Sequence, residues 1–198
     1  MNAKIVFSAM FTLFTFASGA CGSDPVSDGD GNSAPAPADR RALVVYFSCT
    51  NTTRDLAVRI AEAAGAALWR IEPEVPYSAA DLNYNNDSSR ANREQNDPSA
   101  RPAIKGKCEH LADCDVIFLG YPIWWGLAPK AVHTFLESHD LAGKTVVPFC
   151  TSGSSGIGSS GSDLQRSAPR ALWKQGRRFG GRESAAALRS WVESLELD

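Results

Sequence analysis

From residue 41 onward the chain alternates between two kinds of hydrophobic pattern. Ala42-Leu-Val-Val-Tyr-Phe47 is a near-continuous apolar run, as expected of a strand covered on both faces of a parallel sheet. Residues 52–64 then place Leu56, Ile60 and Ala63 near helical spacing, and Gly65 stands where it can close the helix. Further strands are predicted over 67–71, 115–121 and 145–150, with a fifth around Arg177-Arg178-Phe179. A helix is predicted over 129–138, with proline at its start, and a last one over 182–195, where Leu188, Trp191, Val192 and Leu195 share one side. Repeated strand–helix–strand units imply right-handed crossovers and a parallel sheet with helices on both faces, a three-layer α/β/α sandwich. Five strands suggest the order 2-1-3-4-5. No internal repeat is visible.

Two stretches break the alternation. Residues 72–107 are polar and proline-containing, with Asn85-Asn86-Asp87 and Asn96-Asp97-Pro98 among them. A short helix is predicted near 79–83 or 88–94, and a connection of this length inside a compact domain is usually functional or disordered. The second stretch is N-terminal. Met1-Asn2-Ala3-Lys4 starts positive, 5–17 is charge-free and rich in Phe, Leu and Met, and Ser18-Gly19-Ala20-Cys21 follows. That is the layout of a secretory signal whose apolar core is too short for a comfortable membrane span. A cysteine after small residues also resembles a bacterial lipobox, with Ser18 where leucine is usual, which would make Cys21 a lipidation site; the alternative is plain cleavage near Ala20. Residues 22–40, with Val26 as the single aliphatic residue larger than alanine, cannot bury enough apolar surface to fold and read as a linker. The expected organisation is a signal segment over 1–21, a disordered linker over 22–40 and one folded domain over 41–198. The expected location is outside the cytoplasm in a bacterial cell envelope, with membrane contact only through the lipid anchor.

Charge and cysteines narrow the choice further. With 20 basic and 22 acidic residues, net charge −2, no field draws the chain toward nucleic acid. Cys49, Cys108, Cys114 and Cys150 show no CxxC pair, and three histidines are scattered, so no zinc site is expected. Oxidation after export is open for these thiols, with Cys108 and Cys114 nearest in sequence; Cys150 reads as a buried core thiol. Surface or core roles are expected for His110, His133 and His139, and a solvated basic face for Arg177, Arg178 and Arg182.

In an open parallel sheet, ligands bind beyond the carboxyl ends of the strands, near the point where strand order reverses. Three loops leave those ends. Ser48-Cys49-Thr50-Asn51-Thr52-Thr53 runs straight into a helix, and four of its six residues carry a hydroxyl. Hydroxyls and backbone N–H groups at a helix start favour an anion such as a phosphate monoester, beyond the single hydroxyl that a cap needs. GxxxxGK[ST] is absent, which disfavours a nucleoside triphosphate, and so is the GxSxG elbow of a serine hydrolase. Cys49 at a helix start could be a reactive thiolate, but its neighbours read better as phosphate ligands. Gly120-Tyr121-Pro122-Ile123-Trp124-Trp125-Gly126 puts adjacent tryptophans at a strand end; neighbouring side chains diverge, so one is free to stack on a flat ligand, and Gly126 lets the backbone approach it. Thr151-Ser152-Gly153-Ser154-Ser155-Gly156 offers backbone donors and acceptors with little bulk, able to lie along the edge of a planar ring.

Together these segments resemble the flavodoxin-like family, and more closely its bacterial branch with a long second connection, over roughly 42–195. Val45-Tyr46-Phe47-Ser48-x-Thr50-x-x-Thr53 is similar to the family's phosphate loop, with Asn51 where glycine is usual. The 115–126 segment resembles its flavin-flanking loop and 151–156 its third flavin loop. The resemblance implies non-covalent FMN, its phosphate held by Ser48, Thr50, Asn51, Thr52 and Thr53. Pro122, Ile123, Trp124, Trp125 and Gly126 would border the ring system, and Thr151, Ser152, Gly153, Ser154 and Gly156 would line its polar edge. No catalytic side chain and no metal are implied, since the flavin does the chemistry. The third loop lacks the aromatic residue that simple flavodoxins place there, so one ring face is expected to be open or covered by 72–107. An open face suits a small quinone-like acceptor, as in NAD(P)H:quinone reductases; a redox partner protein is the other expected partner. A surface-tethered module that holds flavin or another phospho-ligand without turnover is the alternative. No twin-arginine pair precedes the apolar run, so the chain is expected to cross unfolded and acquire FMN outside.

Overall fold

The computed structural model describes residues 41–197, so the predicted signal segment, the Cys21 lipidation and the linker to residue 40 lie outside the described residues. The sheet carries β1 (Ala42–Tyr46), β2 (Ala67–Arg70), β3 (Val116–Pro122), β4 (Thr145–Thr151), β5 (Leu172–Trp173) and β6 (Arg177–Phe179). Every ladder is parallel, and the order is β2-β1-β3-β4-β5 with β6 also on β4. The predicted order 2-1-3-4-5 is therefore the observed one, with the fifth row broken in two. Pro148 explains the break. Lys174 N–H donates to Val146 O, so Val146 faces the fifth row, and by strand alternation so does Pro148, which has no N–H to offer. At Gly176 a Cβ would lie 2.4 Å from Ile157 Cδ1 and 2.9 Å from Pro148 O, so only glycine passes this point.

Alternation along the strands divides the core in two. Leu43, Val45, Phe47, Ile117, Leu119 and Tyr121 face α3 (Lys130–Ser138) and α4 (Ser160–Gln165). Val44, Tyr46, Val116, Phe118 and Phe149 face α1 (Thr52–Ala64) and α5 (Ala185–Glu193). Gly65 closes α1 as predicted, left-handed at φ 59° with its N–H on Ala61 O. The last helix is shorter than the 182–195 pattern because the Ser184 hydroxyl accepts from Ala187 N–H and starts it at Ala185. Glu183 instead turns back to accept from Gly180 and Gly181 N–H at 2.6 and 3.0 Å. The six-residue α4 was not predicted, since glycine and serine are weak helix formers. Tertiary contacts supply what propensity lacks: Ser160 is fully buried and bonded at 3.0 Å to Tyr121 Oη.

Residues 72–107 are ordered. Glu74 N–H to Ala103 O and Lys105 N–H to Glu72 O tie the base together. Inside the insert lies α2 (Arg90–Asn96), which overlaps the second of the two predicted regions, runs two residues past it and is capped by Ser89. Tyr77 packs edge-on to Phe47 and Trp124, with centroids 6.0 and 5.4 Å away, and its hydroxyl donates to Glu94. Arg90 pairs with Glu94 at 2.6 Å and lies over the Tyr77 ring at 4.1 Å. Gln95 reaches the main domain by donating to Trp124 O at 2.9 Å.

Candidate functional site

The sequence places three loops at the carboxyl ends of β1, β3 and β4, and the fold brings them around one cavity of about 640 Å3. The phosphate-type loop contributes Ser48, Thr50, Thr52 and Thr53 to the wall, the tryptophan loop Pro122, Ile123, Trp124 and Trp125, and the third loop Thr151, Ser152 and Gly153. Asn51, Gly126, Ser154 and Gly156 stand outside the wall. Among the described residues, no charged side chain lines it.

Asn51 is the N-terminal flank of α1 and is left-handed, at φ 69°. This is the position where glycine is usual, and asparagine tolerates that backbone best among residues with a side chain. The first N–H to bond back across the turn is that of Asp55, to Asn51 O at 2.8 Å, and no side chain caps the helix. The leading N–H groups of α1 therefore remain as donors at the positive end of a helix dipole. Thr53 is buried, and its hydroxyl lies 2.8 Å from that of Thr151, which locks the α1 start to the β4 end.

The two tryptophans divide as their divergence requires. Trp124 is half-buried, edge-on to Phe47 at 5.5 Å and to Tyr77 at 5.4 Å. Trp125 is 47% exposed. Trp124 and Leu127 exchange backbone hydrogen bonds of 2.9 and 3.0 Å around Trp125 and Gly126, both left-handed at φ 47° and 81°. This is a two-residue primed turn, in which a tryptophan costs about 1 kcal/mol or more of backbone strain. Gly126 is thus required by its φ. A Cβ there would meet no protein atom within 4 Å, so it is the backbone conformation and not packing that calls for glycine.

Five wall residues were outside the predicted set. Leu82, Tyr84 and Ala91 come from the insert, which therefore forms part of the cavity wall. Gly180 is brought in by the turn that Glu183 holds. No local pattern marks these four. Cys49 sits among the predicted residues. Burial pushes its pKa up to about 11 against the pull of Arg70 and Arg90, so a neutral thiol faces the cavity. Alkylation at Cys49, followed by peptide mass mapping, is expected to be slow at pH 8 and to accelerate toward pH 11; fast labelling at pH 8 would contradict this environment. The basic group at 177–182 is more than a solvated face, since Arg178 donates to Ser152 O at 2.7 Å and Gly153 O at 3.2 Å and holds the third loop. The four cysteines among the described residues are free thiols, with Cys108, Cys114 and Cys150 buried.

A parallel 2-1-3-4-5 sheet with an uncapped helix start and two further loops at one cavity defines the flavodoxin-like class. The family model described as Flavodoxin matches residues 41–195, and the chain belongs to that family. It is similar to the crystal structure of a candidate flavoprotein from Bacteroides eggerthii, with 47% identity over 80% of this chain and 99% of that one, at a TM-score of 0.76. A second candidate flavoprotein, from Bacteroides uniformis, shares 42% identity over 78% and 98% of the two chains, at a TM-score of 0.74. A flavoprotein in complex with FMN from Lactobacillus acidophilus shares the fold at 19% identity and a TM-score of 0.57, over 79% and 98%. No curated protein matches the chain. Family membership makes FMN the cofactor. The residues present fit it: free N–H donors for a phosphate, an exposed indole for a flat ring, and a neutral wall.

Proposed function

We propose that this protein is an exported redox protein that binds FMN non-covalently in the cavity and passes electrons to a small planar acceptor or a partner protein. One observation carries the reading: the Thr53–Thr151 bond joins an uncapped helix start to the loops beneath an exposed tryptophan, so one cavity suits both a phosphate and a flat ring. The N–H groups of Thr52 and Thr53 and the hydroxyls of Ser48, Thr50 and Thr52 would hold the phosphate, while Trp125 would lie against the ring system. Backbone groups of 151–153, held by Arg178, would line its polar edge. Bound FMN supplies the capacity to take up and release electrons; the chain supplies position, exclusion of water and polar groups. Cys49, as a neutral thiol, adds no charge. Tyr84 and Leu82 give the insert an apolar face toward the cavity, which suits a quinone-like acceptor. Export rests on the apolar run over 5–17, and anchoring on Cys21.

FMN titration followed by tryptophan and flavin fluorescence, with Thr53→Val alongside, tests the reading. Saturable binding at one site, weakened about ten-fold or more by the loss of the threonine pair, is expected. No binding to the folded protein would overturn it. Reoxidation of the photoreduced protein by a quinone supports electron transfer; failure with every quinone and redox protein tried leaves a flavin-holding module.

A further inference from the structure

A second cavity, of about 360 Å3, lies where α3, α4 and the end of the insert meet, and it shares no lining residue with the first. Its origin is the pattern of α3. Ala131, Val132, Phe135 and Leu136 fill the core, so Lys130, His133 and Glu137, at i, i+3 and i+7, form an adjacent polar stripe. Asp163 faces it from α4, Arg166 from the residue that ends that helix and Arg101 from the insert.

Both carboxylates here are already engaged. Arg101 forks onto the two oxygens of Glu137 at 2.7 Å each, and the Ser167 hydroxyl donates to Glu137 Oε1 at 2.7 Å. His133 Nδ1 lies 2.9 Å from the same hydroxyl, and its Nε2 lies 3.2 Å from Asp163 Oδ2. Arg166 completes the chain by pairing with Asp163. Among the lining residues three fixed cations thus meet two fixed anions, and Lys130 is the cation left without an ion pair. Lys130 is only 6% exposed, lines the cavity, and makes no salt bridge among the described residues. Burial and the nearby Arg101 and Arg166 charges push its pKa down, with Asp97 the one acid that opposes them. An enclosed lysine with no ion pair, and with only Asp97 nearby to oppose two guanidinium charges, is costly, and an anion in the adjoining cavity offsets that cost.

We propose that this cavity binds a small oxyanion, a phosphate or carboxylate group seated on the Lys130 ammonium with Arg101 and Arg166 at its rim. The inference does not depend on flavin binding. It is tested by calorimetric titration of inorganic phosphate, and separately succinate, into FMN-saturated protein, so that the phosphate loop at α1 is already filled; protein that takes up no FMN is titrated as it stands. The expected result is saturable binding of at least one probe, weakened about ten-fold or more in Lys130→Met, largely retained in Lys130→Arg, and reduced in the exposed variant Arg166→Gln. Lys130→Met removes a buried charge and is expected to fold, which phosphate-free thermal unfolding checks. The preferred probe tells a phosphate ligand from a carboxylate one. Equal binding by wild type and Lys130→Met, loss of binding in Thr53→Val in place of Lys130→Met, or no saturation by either probe at millimolar concentrations would overturn the site.

Discussion

Replacing Trp125 with alanine is expected to weaken FMN binding about ten- to thirty-fold, the loss of one aromatic stacking face, while leaving thermal unfolding of the flavin-free protein unchanged or slightly improved. The affinity loss follows from exposure: nearly half of this indole faces solvent at the cavity, so a flat ligand can bury it. The stability result follows from the backbone. Trp125 is held left-handed at φ 47°, and its side chain contributes little to either core cluster, so truncation removes strain-bearing bulk more than packing. Trp125→Gly, which suits that φ, is expected to stabilise the flavin-free protein further. Trp124→Ala is the control with the opposite signature. Its ring is wedged against Phe47 and Tyr77, so its loss should cost about 2–4 kcal/mol of stability and loosen the insert. Equal FMN affinities for Trp125→Ala and wild type, measured by flavin fluorescence, would remove this residue from the ligand site.

How far these roles were legible in the sequence depends on whether their cause is local. Each buried strand and α1 show in the chain because burial on both faces forces an apolar run and one-sided burial forces a helical stripe. The three cavity loops were legible for the same reason, as hydroxyls, indoles and glycines concentrate just after those runs. The broken fifth row was not. Residues 172–179 are mostly exposed, and the gap between β5 and β6 is set by Pro148 on a different strand. The insert was misleading in another way. Its polarity is genuine, but Asn92 spends its amide on Tyr84 O and Asn86 O, and Tyr77, Glu94 and Arg90 satisfy one another, so a polar segment packs firmly. Which tryptophan is buried depends on Tyr77, far away in sequence. The Lys130 cavity depends on three separate elements meeting, and spacing along α3 alone announces only a polar stripe.

A large loss of stability is expected at a glycine that no turn requires. Gly120 lies mid-strand in β3, paired in register with Phe149 of β4. A Cβ at this position would fall 2.2 Å from Phe149 Cζ and 2.5 Å from Cε2, far inside van der Waals contact with the end of the ring. The ring has little room to yield: Phe149 is fully buried, and Trp191 of α5 stands behind it with centroids 6.4 Å apart. Alanine elsewhere in a strand would gain about 0.5–1 kcal/mol over glycine by restricting the unfolded chain. Here overpacking is larger and of opposite sign, so Gly120→Ala should lose about 2–3 kcal/mol net and lower the unfolding midpoint by roughly 5–10 °C. Because β3 runs directly into Pro122 and the tryptophan turn, FMN affinity should fall as well. The cause can be separated from a general intolerance of change. Phe149→Leu alone leaves a void and destabilises, whereas Gly120→Ala with Phe149→Leu should be more stable than the sum of the two losses, because the added methyl occupies space the ring has left. Additive losses in chemical unfolding would mean that the ring is not what excludes a side chain from position 120.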